Sequence, residues 1–336
     1  MPRTGRHPLK EKDLAFDLPT AQAVTVTTIT HIPMLEGYWQ HSLEVLKLFF
    51  GSLGANTQTP FDLVVFDNAS CREVTDYLGK LKEEGLIQFL ILSDRNFRKL
   101  GALDILLRVA PGEFVAYADS DVYFLPGWLE HSLEVMSAFP QAGMVSALPT
   151  VDKVEKFLGS TLEGIASDPK VAVERGASLV PAAFIRAHQL SLGKDPAPLL
   201  SAERTDTQIT RDGVKAFLSA QDFQFLTRRK VIERVLPLAA EAEGLNYDPI
   251  YSPVFEAKVD KAGYWRLSTA DYLVHHMGNS VPDLQQELGE VALGRSCSEL
   301  EPKPASPAKE SGLWQKRSVR HLLKRLHTWS YRKLFE

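Results

Sequence analysis

Between residues 23 and 118 the apolar positions alternate between two periods. The stretch "AVTVTTIT" (23–30) is rich in β-branched residues and reads as a strand. Residues 38–50 instead place Leu43, Leu46 and Phe50 at helical spacing, with polar residues between them. "FDLVVFD" (61–67) reads as a second buried strand closed by the turn-like "DNAS", and residues 72–84 as a helix. "IQFLILS" (87–93) is a third strand, and "KLGALDILLRVA" (99–110) a short amphipathic helix stopped by Pro111-Gly112. "EFVAYA" (113–118) is a fourth strand. Strands and helices alternating in this way predict right-handed crossovers and an α/β fold with a largely parallel sheet.

Beyond residue 150 the regularity fades, and 151–220 mixes helical pieces with loops containing Pro and Gly. "DFQFLTRRKVIERVLPL" (222–238) reads as a strand running into a helix. Asp248 before Pro249 fits a helix N-cap with Pro at the first helical position, and Pro253 is tolerated near the first turn. Gly263 fits the C-terminal stop, followed by the strand "YWRLST". Residues 301–312 form a Pro/Ser-rich linker. The tail is a basic amphipathic helix, with Val319, Leu322, Leu323 and Leu326 on one face. The predicted layout is an N-terminal extension (1–21), two halves of one domain (22–150 and 151–285), a linker (286–312) and the basic helix (313–336).

Composition narrows the function classes. With 44% hydrophobic and 24% charged residues among 336, the chain is an ordinary globular protein. A net charge of -4 gives no reason to expect nucleic acid as the partner. Cys71 and Cys297 form no metal or redox spacing and no disulfide framework, which suits a reducing compartment. The N-terminal segment lacks the apolar core of a signal peptide, and no apolar run has bilayer-spanning length. A cytoplasmic location is the expectation.

In open sheets of this kind, ligands bind beyond the carboxyl ends of the strands. Polar clusters fall at those ends: Thr28 and Thr30 with His31, Asp67 with Asn68, Asp94 with Asn96, and Asp119 with Asp121. The last pair brackets Ser120 in "VAYADSDVYFLPGWLE" (115–130), at the end of a buried strand. Two unpaired carboxylates there would cost several kcal/mol to desolvate, so a positive partner is expected. An isolated Asp-X-Asp is most often a loop turn or a helix cap. The apolar runs on both sides point instead to a divalent cation held by hard oxygen ligands together with substrate phosphates. The two acids are too close in sequence to straddle a glycosidic bond, which argues against a glycoside hydrolase.

The assembled blocks "VTVTTITHIPMLEGYW", "FDLVVFDNAS", "SDRNFRKLGALDILLRVAPGEFVAYADSDVYFLPGWLE" and "AGYWRLSTADYLVHHMGN" resemble the family 2 glycosyltransferases, over roughly residues 22–285. The resemblance implies a GT-A fold, with a Rossmann-like, mostly parallel sheet flanked by helices and here a C-terminal helical extension. It makes residues 22–150 the nucleotide-sugar half and 151–285 the acceptor half. It implies that Thr30, Asp67, Asn68, Asp94 and Asn96 bind the nucleotide of a donor, with a UDP-sugar favoured. Asp119 and Asp121 match the metal pair, holding Mn2+ or Mg2+ against ribose and diphosphate. His276 matches the late histidine of the metal or diphosphate site, with adjacent His275 as runner-up because neighbours on a strand face opposite ways. The implied reaction is an inverting transfer of the sugar to a hydroxyl, in glycan or polysaccharide biosynthesis.

One element departs from the family pattern. The acidic pair that usually starts the helix ending in "AGY" falls, in strict register, on Tyr251 and Ser252. Asp248, slightly upstream, is the expected catalytic base, with Asp222 and Glu256 behind it. The alternative is a degenerate transferase that binds donor as a scaffold subunit. A nucleotidyltransferase ranks lower, because "THIPMLEGYW" lacks a basic, Gly-rich phosphate loop. The acceptor is a glycan, a lipid-linked glycan or a protein. The basic tail is either packed on the body or docked peripherally on an anionic membrane face.

Overall fold

The computed structural model describes residues 20–149, 157–238, 253–279, 281 and 288–289. Three strand–helix units open the fold: β1 (Val24–Thr30) and α1 (Ser42–Asn56), β2 (Phe61–Asn68) and α2 (Arg72–Glu83), then β3 (Phe89–Ser93) and α3 (Arg98–Val109). β4 (Phe114–Asp119) carries the first acid, and β5 (Val122–Phe124) starts just after the second. α4 (Trp128–Ala138), β6 (Ala142–Ser146), α5 (Gly159–Ser167), β7 (Ala172–Gly176), α6 (Ala182–Ser191) and α7 (Ala197–Ser201) follow. The remaining elements are β8 (Asp206–Arg211), β9 (Val214–Leu218), β10 (Gln224–Arg228), α8 (Arg229–Val235), α9 (Val254–Lys261), β11 (Trp265–Thr269) and β12 (Val274–His276).

Ten strands form one sheet in the order β3-β2-β1-β4-β10-β6-β11-β9-β8-β7. β3, β2, β1 and β4 are mutually parallel, as are β6 and β11, while β10, β9 and β7 run the opposite way. The sheet is therefore mixed, with its parallel part where the apolar periodicity is clearest. β1 is buried along its whole length, as expected for a central strand covered on both faces. On one face lies a core including Phe49, Phe124 and Trp128, and on the other one including Leu103, Phe225 and Phe255. Both expected halves contribute strands to this single sheet.

Gly112 sets where β4 begins. A Cβ there would lie 2.7 Å from the Thr25 backbone nitrogen and 2.8 Å from the Phe114 carbonyl oxygen. Its N–H donates to Thr25 Oγ1 at 2.8 Å. Only glycine lets the turn approach β1 closely enough for Phe114 to pair with Val24. Gly112→Ala is expected to lower stability by about 1–3 kcal/mol, read as a shift of the urea midpoint. An unchanged midpoint would show that the turn relaxes freely.

The strand "YWRLST" begins after Gly263, whose φ of +83° fits the helix stop. Pro253 precedes α9 directly as its N-cap. Asp248, the Tyr251–Ser252 pair, most of the N-terminal extension and the basic tail lie outside the described residues. Among the described residues, no helix is long and apolar enough to cross a membrane.

Candidate active site

β4 delivers Asp119 to the carboxyl edge of the sheet, where its N–H donates to the Phe223 carbonyl at 2.8 Å. The chain then turns through Ser120 and enters the short ribbon in which β5 pairs antiparallel with β12, His276 opposite Val122. The Met277 N–H donates to the Asp121 carbonyl at 2.7 Å, tying the turn to the distant C-terminal segment. This pairing places His276 Nε2 3.2 Å from Asp121 Oδ2. His275 points the other way, fully buried, with Nδ1 2.9 Å from the Tyr272 hydroxyl.

Each acid meets a protein cation. Lys99, in the first turn of α3, donates to Asp119 Oδ2 at 2.8 Å and lies 3.6 Å from Asp222 Oδ2. The Tyr117 hydroxyl donates to Asp119 Oδ1 at 2.5 Å. Burial pushes the Asp119 carboxyl up, against the pull of Lys99. Burial alone would also raise Asp121, but the His276 imidazole outweighs it and holds that carboxyl below its ordinary value. The same pair lifts His276 to about 9 despite its burial. Burial would lower Lys99, yet Asp119 and Asp222 together raise it above the ordinary lysine value. The positive partners required by two acids at a strand end are thus Lys99 and His276.

A cavity of about 440 Å³ opens over this edge, within the roughly 300–1,000 Å³ usual for small-molecule sites. Asp119, Ser120 and Asp121 line its wall together with Arg98, Lys99 and Tyr117. A polar trio, His31, Asn68 and Asn96, also lines it. Asn68 Nδ2 donates to Asn96 Oδ1 at 3.0 Å, and Asn96 Nδ2 lies 3.0 Å from His31 Nε2. His31 Nδ1 is 2.8 Å from the Asn68 carbonyl, an arrangement that puts the ring proton on Nδ1. Asn68 Oδ1 also accepts from the Phe97 N–H at 2.7 Å, which locks the loop leading into α3.

The structure brings Asn68, Asn96, Asp119, Asp121 and His276 to this edge, but it treats three other expected residues differently. Thr30 and Asp67 are 0% and 1% exposed and lie behind the cavity wall. Side chains alternate along β1, so Ile29 and His31 line the cavity while Thr30 faces away. Asp67 Oδ2 accepts from the Ser70 N–H at 3.1 Å, and burial raises its carboxyl above the ordinary value. Asp94 projects from the turn after β3 with its side chain 91% exposed, 3.7 Å from Arg95, and does not line the cavity. Lys99 and Tyr117 were not singled out from sequence. The unpaired acids were the available signal for a lysine in the first turn of the preceding helix.

A divalent cation fits part of this arrangement. Asp121 Oδ1 is buried and has no partner among the described residues, and His276 adjoins the same carboxylate. Asp119, by contrast, already has one oxygen on Tyr117 and the other on Lys99. No group of three His, Cys, Asp or Glu side chains converges among the described residues. Two protein ligands are nevertheless enough for an ion that completes its shell with substrate phosphates and water.

Residues 40–175 match the family described as Glycosyl transferase family 2. Over these residues the chain is similar to the family 2 glycosyltransferases. That match takes in α1 through β7 and so includes Asn68, Asn96, Lys99 and both acids, whereas His276 lies outside it. No curated protein matches this chain in sequence. Among solved structures it is similar to the mannosyltransferase PcManGT of Pyrobaculum calidifontis, in complex with GDP-Man and Mn2+. The identity is 15%, covering 88% of this chain and 70% of that one, with a TM-score of 0.45. S. aureus TarS 1–349 in complex with UDP-GlcNAc is 15% identical over 83% of this chain and 68% of that one, with a TM-score of 0.41. GalNAc-T7 with UDP, GalNAc and Mn2+ is 14% identical over 81% and 48%, with a TM-score of 0.44.

Proposed function

We propose that this protein is a metal-dependent, inverting glycosyltransferase, moving a sugar from a nucleotide-sugar to a hydroxyl of a glycan, lipid-linked glycan or protein in glycan or polysaccharide biosynthesis. The observation that carries the reading is a single cavity with the His31–Asn68–Asn96 trio and the Asp119–Asp121 pair on its wall. The trio offers amide and imidazole groups to a nucleoside, and the acids with their cations suit a diphosphate. Asp121 is the residue that would hold Mn2+ or Mg2+, joined by His276 once its imidazolium gives up the proton it shares with that carboxylate. Such an ion supplies Lewis-acid stabilisation of the charge that develops on the departing diphosphate. Asp119, fixed by Tyr117 and Lys99, is then a rigid acceptor for donor hydroxyls. A UDP-sugar remains the favoured donor.

The acceptor proton needs a carboxylate on the far side of the sugar. Asp248 keeps that role as an expectation from sequence. Of the described carboxylates, Asp222 is the candidate: its side chain is 22% exposed and stands across Lys99 from Asp119. Glu256 is 3% exposed and is the weaker choice for a group that must reach an acceptor.

Calorimetric titration of UDP, with and without Mn2+, tests the reading. Manganese is expected to tighten binding by an order of magnitude or more, and a screen of nucleotide-sugars should then release nucleoside diphosphate. Failure of UDP and GDP to bind under both conditions would sink the assignment. Tight metal-linked binding with no turnover on any donor would favour the degenerate, donor-binding alternative.

A further inference from the structure

Resting on the nucleotide-sugar reading, we infer that Lys99 is a resident cation for the donor diphosphate, acting beside the divalent ion and in part without it. Three observations carry this. First, the place: Lys99 and Arg98 open α3 and line the cavity that the His31–Asn68–Asn96 trio and the Asp119–Asp121 pair also line. A diphosphate joining a nucleoside on the trio to a sugar near the acids passes this turn.

Second, the charge. Asp119, Asp121 and Asp222 put three carboxylates at the edge of the sheet, and a diphosphate brings more negative charge to it. Only Lys99 and His276 are ion-paired with those acids among the described residues. His276 is committed to Asp121 and to any ion held there. Lys99 is the fixed positive charge left on the cavity wall, with Arg98 more exposed beside it.

Third, the capacity. An ammonium has three N–H donors. One is on Asp119 at 2.8 Å, and Asp222 at 3.6 Å is an ion pair beyond hydrogen-bond length. The nitrogen also stands 5.7 Å from the centre of the Tyr117 ring, which holds it on one side. The side chain keeps 27% exposure. It is clamped in position and still has donor capacity for a phosphate oxygen. Clamping lowers the entropy lost on binding, so the site is preorganised for the leaving group.

The experiment compares wild type, Lys99→Met and Lys99→Arg by UDP calorimetry in EDTA and in Mn2+, and by electron paramagnetic resonance of Mn2+ alone. Wild type is expected to bind UDP measurably in EDTA. Lys99→Met should weaken that metal-free binding roughly tenfold or more, the loss typical of a charged hydrogen bond. Lys99→Arg should restore most of it. Mn2+ alone should bind Lys99→Met as well as wild type or better, because a competing cation has left Asp119. Three results overturn the inference: no UDP binding by wild type in EDTA, equal UDP affinity in Lys99→Met, or parallel loss of Mn2+ affinity. The last would make Lys99 a strut that shapes the acids. If wild type fails to bind UDP and GDP even with Mn2+, the functional reading itself has failed, which is a separate outcome.

Discussion

Asp121→Asn is expected to remove the manganese-linked gain in UDP affinity and to lower sugar transfer roughly a thousandfold, equivalent to about 4 kcal/mol of barrier. The amide is nearly the same size as the carboxylate, and the backbone bond from the Met277 N–H to the residue 121 carbonyl is untouched. The fold should therefore survive, as a thermal melt would verify. What is lost is the charge opposite His276 and the buried, unpartnered Oδ1 that makes this carboxylate available to an ion. Asp119→Asn should act differently, because that residue faces Lys99 and Tyr117 rather than an open coordination position. Its main expected effect is a weaker hold on Lys99, visible in metal-free UDP binding. If Asp121→Asn binds UDP with Mn2+ as tightly as wild type, the cation is not held here.

The parallel half of the sheet was legible in sequence because its strands are apolar runs, three of them largely buried, and each helix repeats at its own period. β1, β2, β3 and β4 lie within two residues of their predicted ends. The region 151–220 was not, and β7 shows why. Four of its five residues are exposed, so it carries no apolar alternation to read. The β5–β12 ribbon was hidden for another reason. Each strand has three residues, and their pairing joins positions about 150 apart in the chain, a register that no local pattern encodes. That pairing is what brings His276 to Asp121. Lys99 was not singled out, since periodicity tells which side of α3 is buried but not what the start of the helix meets. Thr30, Asp67 and Asp94, which do not line the cavity, show the converse: being at the carboxyl end of a strand does not say which way the side chain turns.

Glu256 offers a pH signature that sequence gave no hint of. It sits in the first turn of α9, 3% exposed. Burial, with Asp222 adding like charge, pushes its carboxyl up to about 7, although Arg266 and Lys99 pull the other way. A carboxyl raised in the folded state favours folding only while protonated. Below its unfolded value near 4.5 both states hold the proton and nothing is lost. Between about 4.5 and about 7 the unfolded chain ionises first, so stability falls as pH rises, and above 7 the full cost remains. Glu256→Gln removes that cost without removing the side chain's bulk. Relative to wild type, the variant is expected to gain about 2 kcal/mol of stability on going from pH 5 to pH 8, measured by urea unfolding at both values. The change with pH is the decisive quantity, since it is independent of any fixed loss caused by the amide itself. Parallel stability curves for the two proteins would mean that Glu256 titrates as an ordinary carboxylate. A variant whose advantage grows with pH would establish that the base of α9 holds a largely protonated acid next to Asp222. That outcome would leave Asp222, and not Glu256, as the described carboxylate suited to accept a proton from an incoming hydroxyl.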